Sequence, residues 1–469
     1  MLTGRVGAAG NLGVYLSSPL IGRIVDRKGP LPTLIFAAVA LTSGYLLIRS
    51  FYLGGDDVSG PFSMFGVSGL ALAEFAVGIG STAGLSSAGN SVAKSYKKKR
   101  AAALSVVLSG FGLSALFYST LSSIFLHSRS GAPDTTADFL SVLAAGCFVS
   151  MVIGIAFVRP VLHPSLSSPP AEPAALSVPE NAAEVDIPED ASTVEPVEPS
   201  ERAPLLRSSS TKSVEVRNVA GLALLRELDF YLIFLFNGMC AGIGLCYINN
   251  LGTVVRSLAL YPPNYLPHLP PSPSQIALAQ TRLVSLLSFC NFAGRLFSGF
   301  LSDYLVHHQS KRLKIPRVWW LVFTASCFTL SQVAANSVTK VEGVKGLILP
   351  TILTGFSHGS LFGLSGIIGL ERFGMANFSS TNGILALAPA LFGQTTNLIF
   401  GRIYDSHSHS PSPSSLLSDL FLIAPAAVCL EGRGCYSTAF RLTTGMGIAA
   451  IGVGVVLATV RNRMKVRAA

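Results

Sequence analysis

The chain is 469 residues long, and 50% of its residues are hydrophobic while only 12% are charged. A soluble domain carries about 25% charged residues, so this composition excludes an ordinary water-exposed globular protein. The net charge is +10, but the Lys and Arg residues cluster in short loops between apolar runs, as they do at the cytoplasmic face of a membrane protein. We therefore predict a protein that crosses the lipid bilayer many times and binds no nucleic acid.

Eleven apolar segments are long enough to cross a bilayer, which takes about 20 residues of α-helix. In lipid each segment must satisfy its own backbone hydrogen bonds, so we expect every one of them to be helical. In chain order the predicted spans are residues 3–22, 33–53, 63–88, 101–126, 139–158, 228–255, 277–302, 317–336, 346–369, 379–400 and 438–460.

The fifth and sixth spans are separated by residues 159–226, in which Pro, Ser, Glu and Ala dominate. Such a segment cannot bury enough apolar surface to fold alone, so we predict a disordered linker. It divides the chain into an N-terminal bundle over residues 1–158 and a C-terminal bundle over residues 227–469. Lys and Arg are more numerous in the loops on the side that includes the linker and the C-terminus, and this side is predicted to be cytoplasmic.

A short charged hairpin with the pattern Gly-x-x-x-Asp joins the first two spans, and the pattern recurs twice after the linker. The residues are Gly22, Asp26, Arg27 and Gly29 in the first copy, Gly299 and Asp303 in the second, and Gly401 and Asp405 in the third. The first two copies lie on the same predicted side of the membrane and the third lies on the opposite side. This arrangement predicts a duplicated helix bundle, which is typical of secondary transporters.

The first copy resembles the loop motif between helices 2 and 3 of the major facilitator superfamily. Three stretches, Gly10–Pro30, Phe236–Leu258 and Arg372–Asp405, are similar to the fungal vacuolar branch of monocarboxylate-transporter homologues, whose members are described as probable transporters, with kinship to plant nodulin-like carriers. The resemblance implies an all-α major facilitator fold of two pseudo-symmetric helix bundles, a small-molecule substrate and a multi-pass location in the vacuolar membrane. We expect no cofactor.

The resemblance also implies that the equivalent of helix 1 is absent, because five spans precede the linker and six follow it. We expect the natural protein to begin upstream of Met1, or this chain to come from a non-functional gene model.

Asp26 is the centre of a hypothesis about conformational control. In the superfamily this Asp lies against the start of helix 11, which here is about Ser379–Asn382. A carboxylate near a helix N-terminus gains roughly 0.3–1 kcal/mol, and up to about 2 kcal/mol when partly buried, so it would latch the cytoplasmic side shut in one conformer. The alternative is a loop whose charges only set membrane orientation. The proposed latch comprises Gly22, Asp26, Arg27, Gly29, Gly299 and Asp303.

Ionisable side chains within spans are costly and are therefore functional candidates. Glu74 is either a proton site or a neutral packing residue. Arg295 either binds a substrate anion or pairs with nearby polar groups. In monocarboxylate carriers an Asp that handles protons precedes this Arg by four residues, but Asn291 occupies that position here, so proton-coupled monocarboxylate transport is doubtful. Further candidates for the substrate cavity are Asn11, Tyr15, Asn249, Asn250, Asn291 and His358.

The sequence contains no nucleophile motif, phosphate-binding loop or paired metal ligands, so we expect neither an enzyme nor a metal site. The predicted function is a secondary transporter that moves a small solute, with an anion as one candidate, by alternating access. The alternative is a non-transporting membrane sensor or receptor on the same fold.

Two signals lie outside the predicted spans. Glu201-x-x-x-Leu205-Leu206 has the spacing of an acidic dileucine signal that adaptor complexes recognise in sorting to vacuoles, and the alternative is a chance match in a low-complexity segment. Cys429 and Cys435 flank a polar segment and are predicted either to form a disulfide, if that segment faces away from the cytosol, or to remain free thiols.

Overall fold

The structure is a computed structural model that describes residues 2–54, 66–96, 99–125, 136–158, 219, 221–261, 271–307, 316–338, 343–408 and 429–461. Every regular element within these residues is helical, so the predicted all-α fold is confirmed. All of them belong to one compact unit, formed by Met1–Pro160 together with Val216–Ala469.

Twelve α-helices make up this part of the chain. They are α1 Leu2–Lys28, α2 Pro30–Gly54, α3 Gly66–Ser95, α4 Arg100–Phe125, α5 Thr136–Phe157, α6 Leu228–Ala259, α7 Pro273–His307, α8 Val318–Ser337, α9 Ile348–Phe373, α10 Phe378–Leu385, α11 Leu387–His407 and α12 Ser437–Val456. Each predicted span coincides with one helix, except that α10 and α11 share the tenth. By length and apolar composition, nine helical segments of the described chain can cross a membrane. The two remaining long helices, α1 and α4, are 27 and 26 residues long.

Two helices end at a glycine whose backbone has a positive φ angle. Gly29 has φ 81° and ends α1, and its amide donates to the Val25 carbonyl at 3.0 Å. Pro30 follows as the first residue of α2, where its missing N–H is not needed. Gly374 has φ 93° and ends α9 shortly before α10 begins. α1 and α9 finish at the same end of the bundle, so both glycines lie at that end.

The helices form two sets with matching packing. In the first set α1 packs on α3, and α2 packs on α3 and α5; in the second, α7 packs on α9, and α8 packs on α9 and α12. α6 packs on α9, α11 and α12, and it has no counterpart among the described helices of the first set. The sets meet where α4 contacts α7 and α9, and where α1 contacts α10.

One end of the helices carries most of the described basic side chains, and we call it the basic end. α1, α3, α7 and α9 finish there, and it includes Arg23, Lys94, Arg317 and Arg372. The lateral surface is apolar, with large side chains such as Leu16, Phe157 and Leu398 more than half exposed. Such an apolar surface is stable in contact with lipid, whereas its exposure to water would be costly.

The chain is already packed before the end of the predicted linker at residue 226. The Val219 amide donates to the Phe373 carbonyl at 3.0 Å, and Gly221–Arg226 forms a 3-10 helix whose Leu224 is fully buried. Val219 and Leu224 both belong to the largest group of buried apolar side chains, so packed structure is present before α6 begins. The remainder of the linker, with Glu201, Leu205 and Leu206, lies outside the described residues.

Candidate functional site

Arg295 lies in the middle of α7 and is only 3% exposed. Its Nε donates to Asn291 Oδ1 at 3.0 Å, one turn earlier on the same helix. Its Nη1 donates to the Leu108 carbonyl of α4 at 2.7 Å. The guanidinium carbon lies 5.3 Å from the ring centre of Phe111 and 5.8 Å from that of Phe362. Aromatic faces at these distances attract a cation.

His358 of α9 lies beside Phe362, one of the two aromatic rings next to Arg295. Its ring centre lies 4.8 Å from that of Phe362, and its backbone neighbour Gly359 packs tightly on the α7 backbone at Asn291. The buried Nδ1 atom of His358 has no hydrogen-bond partner among the described residues, and a Cβ at Gly244 of α6 would overlap it. α4, α6, α7 and α9 therefore converge on one polar site. We call Phe111, Asn291, Arg295, His358 and Phe362 the central cluster.

The charge of Arg295 has no acidic partner in the part of the chain that the structure describes. Its contacts there are an amide oxygen, a backbone carbonyl and two aromatic rings. A buried charge without a counter-ion is costly to keep in a membrane protein, and such charges mark substrate and ion pathways. An anion would supply the counter-charge that the described residues do not give to this guanidinium.

Asp26, in the last turn of α1, joins the two sets at the basic end. One carboxylate oxygen accepts the Ser379 amide at 3.1 Å, and the other accepts the Ser380 amide at 2.7 Å. Asn90 of α3 donates to the same carboxylate at 2.8 Å and to the Ser379 hydroxyl at 2.6 Å. The carboxylate thus caps the N-terminus of α10, where a negative charge is favoured.

Asp303, at the end of α7, makes the equivalent contact in the opposite direction. Its carboxylate accepts the Ala102 amide, in the first turn of α4, at 2.8 Å. It also pairs with Arg317, which in turn pairs with Glu371 at the end of α9. Asp303 and Arg317 are both buried, whereas the Glu371 side chain is 41% exposed. The Asp303 contact therefore includes an ion-pair network, whereas the hydrogen-bond donors to Asp26 are all neutral groups.

Glycines let the helices approach closely at both the Asp26 and the Asp303 contacts. A Cβ at Gly22 would overlap the Ser379 carbonyl, and a Cβ at Gly299 would overlap the Ser105 hydroxyl. The side chain of Arg27 is exposed beyond this contact. The Gly-x-x-x-Asp pattern therefore has a physical basis: the glycine permits contact between the sets, and the aspartate one turn later caps the facing helix.

The other candidate residues are not part of the central cluster. Glu74 of α3 is half-buried, and a Cβ at Gly10 of α1 would lie 3.1 Å from its Oε2. Asn250 donates to Asn397 Oδ1 at 2.9 Å and links α6 to α11. The remaining candidates are Asn11 and Asn249, which are exposed, and Tyr15, which is partly buried.

Cys429 and Cys435 form a disulfide at the end of the helices opposite the basic end. Both are fully buried, and the ring of Tyr261 packs against Gly432 between them. Disulfides form and persist in oxidising compartments.

Several contributors to the site were not anticipated from the sequence. Phe111 and Phe362 are ordinary apolar residues of their helices, and no sequence signal distinguishes them. Asn90 and Glu371 are polar residues near helix ends, where they are easily taken for solvated positions. Arg317 stands at the start of a predicted span, where a basic side chain is easily taken for a solvated charge that sets membrane orientation, but it is buried against Asp303.

A bundle of two related helix sets that are long and apolar enough to cross a membrane is typical of secondary transporters. The model of the Major Facilitator Superfamily matches residues 2–340. The chain belongs to this superfamily.

Known proteins agree with this assignment. A probable transporter, MCH1 of Gibberella zeae, is 25% identical over 94% of this chain and 80% of its own length. An uncharacterized membrane protein of Saccharomyces cerevisiae is 29% identical over 50% of this chain and 40% of its own length. The crystal structure of the human organic anion transporter MFSD10 covers 96% of this chain and 83% of its own, with a TM-score of 0.54 and 13% identity. The expected kinship with fungal probable transporters is confirmed, and the solved structure supports the fold.

Proposed function

We propose that the protein is a secondary transporter that carries a small anionic solute across the vacuolar membrane by alternating access. The observation that carries the proposal is Arg295: a buried guanidinium at the meeting point of four helices, with no acidic partner among the described residues. An anion that reaches this site gains a charge-assisted hydrogen bond and neutralises a costly charge. Asn291 and His358 supply further polar atoms beside it.

The basic end is the cytoplasmic end in this proposal, since Lys and Arg favour that side of a membrane. The contacts of Asp26 and Asp303 then close the cytoplasmic side, and the conformer described here is the one that is shut toward the cytosol. Breaking both contacts lets the two sets separate at this end. Alternating access then consists of making and breaking the two latches around the central cluster.

Proton coupling through the position one turn before Arg295 is not part of the proposal, because Asn291 cannot titrate. Glu74 lies apart from the cluster, between α1 and α3, and remains a candidate for a proton site. Sorting to the vacuole is supported by the Glu201, Leu205 and Leu206 pattern, which an adaptor complex would bind in the cytosol.

Transport by proteoliposomes tests the proposal. Purified protein is reconstituted, and uptake of a labelled panel of small organic anions is compared with uptake of their neutral amides. We expect uptake of at least one anion, and a loss of at least tenfold in Arg295→Gln, since a hydrogen bond to a charged group contributes about 1.5–3 kcal/mol. Arg282→Gln is the matched control, because Arg282 is an exposed cation on the same helix.

Uptake that is equal in Arg295→Gln and the native protein would contradict the anion contact. Specific binding of an anion without any uptake would instead identify a sensor.

A further inference from the structure

Arg295 bonds to both helix sets at once. Asn291 and Phe362 belong to its own set, on α7 and α9, whereas Leu108 and Phe111 belong to α4 of the other set. The same guanidinium that is suited to an anion is therefore also a contact between the sets.

This contact lies at the inner end of the seam between α4 and α7. At the outer end of the seam the Asp303 carboxylate accepts the Ala102 amide, and a Cβ at Gly299 would overlap Ser105. Further in, Arg295 reaches Leu108, and a Cβ at Gly112 would lie 3.2 Å from the Phe292 amide nitrogen. The two helices are thus in contact from the basic end to the central cluster, and separating them requires Arg295 to leave Leu108 and Phe111.

We propose that Arg295 is a clamp between the two sets, with Phe111 as its positioning residue, and that a bound anion opens the seam by drawing the guanidinium away from Leu108 and Phe111. The opening of the seam by an anion rests on the proposed function, whereas the clamp itself does not. A guanidinium has a planar fork of donors, and a carboxylate that engages two of them in parallel fixes the plane of the group. The Leu108 carbonyl and the Phe111 face then compete with the anion for the same cation.

The two aromatic rings provide a matched comparison. Phe111 moves with the opposite set, so its attraction to Arg295 is lost when the seam opens. Phe362 moves with Arg295, so its attraction is kept in both conformers. Replacing either ring by Leu removes a π face and keeps an apolar side chain, but only Phe111→Leu removes an attraction that favours the closed conformer.

Distance measurements between spin labels test the clamp. The labels are placed at Tyr96 and Tyr304, which are exposed at the basic end in different sets, in a background without the five free cysteines. In nanodiscs and without added anion, we expect Phe111→Leu to lower the ratio of closed to open molecules by about 2- to 30-fold. Phe362→Leu should keep the native ratio, and Phe111→Tyr, which retains an aromatic face, should restore it.

Equal distance distributions in Phe111→Leu and the native protein, or an equal shift in Phe362→Leu, would overturn the clamp. The anion step is tested separately with sodium acetate and the neutral acetamide as probes. We expect acetate to shift the native protein toward the open form, acetamide to have no effect, and Arg295→Gln to be insensitive to both. A Phe111→Leu shift without an acetate effect in any variant would keep the clamp and overturn the anion-driven opening.

Discussion

Asp26 and Asp303 hold equivalent positions in the two helix sets, and each caps a helix of the opposite set. Asp303 follows Asp26 by 277 residues (303 − 26), and Ser379 follows Ala102 by the same 277 residues (379 − 102). The amides that these carboxylates accept are therefore equivalent as well. The pseudo-symmetry of the fold extends to the atoms that hold the sets together, so both latches should respond to the same kinds of substitution.

Asp26→Ala should favour the open conformer. The substitution removes the acceptor for the Ser379 and Ser380 amides, and a carboxylate at a helix N-terminus contributes about 0.3–2 kcal/mol, which corresponds to about a 2- to 30-fold change in the closed-to-open ratio. The spin-label pair at Tyr96 and Tyr304 reports that ratio. Asp405→Ala is the control, because Asp405 ends the third copy of the motif and is exposed at the opposite end. If both variants kept the native ratio, Asp26 would serve only to orient the loop.

Gly22→Ala and Gly299→Ala should act in the same direction for a steric reason. A methyl group at Gly22 meets the Ser379 carbonyl and one at Gly299 meets the Ser105 side chain, so the closed conformer must shift or strain. Overpacking of this kind costs about 1–3 kcal/mol, and the cost is absent once the sets separate. Gly401→Ala, at the matching glycine of the third copy, has open space around the added methyl and should be neutral. Native behaviour of all three variants, measured as the closed-to-open ratio, would contradict the close contact.

The helices themselves were predictable because lipid leaves the backbone few alternatives. Spans such as 228–255 and 317–336 match α6 and α8 to within a few residues, since apolar length and helix length are tied by bilayer thickness. The latch motif could also be located, because Gly-x-x-x-Asp repeats in the sequence. Its function as a latch remains a proposal.

The composition of the central cluster could not be predicted in the same way. Arg295 and His358 are polar residues within apolar runs and attract notice. Phe111 and the Leu108 carbonyl are identified only when α4 is packed against α7, a contact between residues more than 180 positions apart. Conversely, Asn11 and Asn249 looked similar to Asn291 in the sequence, and only packing shows that they lie on exposed positions.

Arg317→Met should destabilise the protein strongly. Arg317 is buried between Asp303 and Glu371, and removing one partner of a buried pair leaves an uncompensated charge, at a cost of about 3–5 kcal/mol. Glu371→Gln should cost less than about 1 kcal/mol, because the Glu371 side chain is 41% exposed and water can replace the pair. Thermal unfolding in detergent, followed by the loss of monomer in size-exclusion chromatography, measures both. A larger loss of thermal stability in Glu371→Gln than in Arg317→Met would show that the Arg317–Glu371 pair contributes more to stability than the buried Arg317–Asp303 pair.

Replacing Leu205 and Leu206 by Ala should redirect the protein from the vacuolar membrane to the plasma membrane or another compartment. The two leucines are the apolar part of the Glu-x-x-x-Leu-Leu pattern, and Ala at both positions removes most of the apolar surface that a partner would bury there. A fluorescent fusion expressed in a fungal cell reports the location, and replacement of Ser208 and Ser209 by Ala serves as the matched control in the same linker. An unchanged vacuolar signal in the leucine variant would remove the dileucine argument.

The Cys429–Cys435 disulfide provides an independent test of orientation. Of the seven cysteines in the chain, five are free in the structure and two are bonded. A disulfide between residues six apart in sequence stabilises the folded state by about 2 kcal/mol in the chain-entropy model. It forms in the cell only if this end of the protein enters an oxidising compartment, as the proposed orientation with a cytosolic basic end requires.

Thiol counting before and after reduction checks this prediction. Protein from cells is denatured in excess alkylating reagent, then reduced and treated with a heavier reagent, and intact mass gives the number of each label. We expect five light labels and two heavy ones, with both heavy labels absent in the Cys429→Ala, Cys435→Ala double variant. Cys240→Ala, at a buried free thiol, should lower only the light count. Seven light labels in the native protein would mean that both cysteines are reduced in the cell, and the assignment of the basic end to the cytosol would then lose its chemical support.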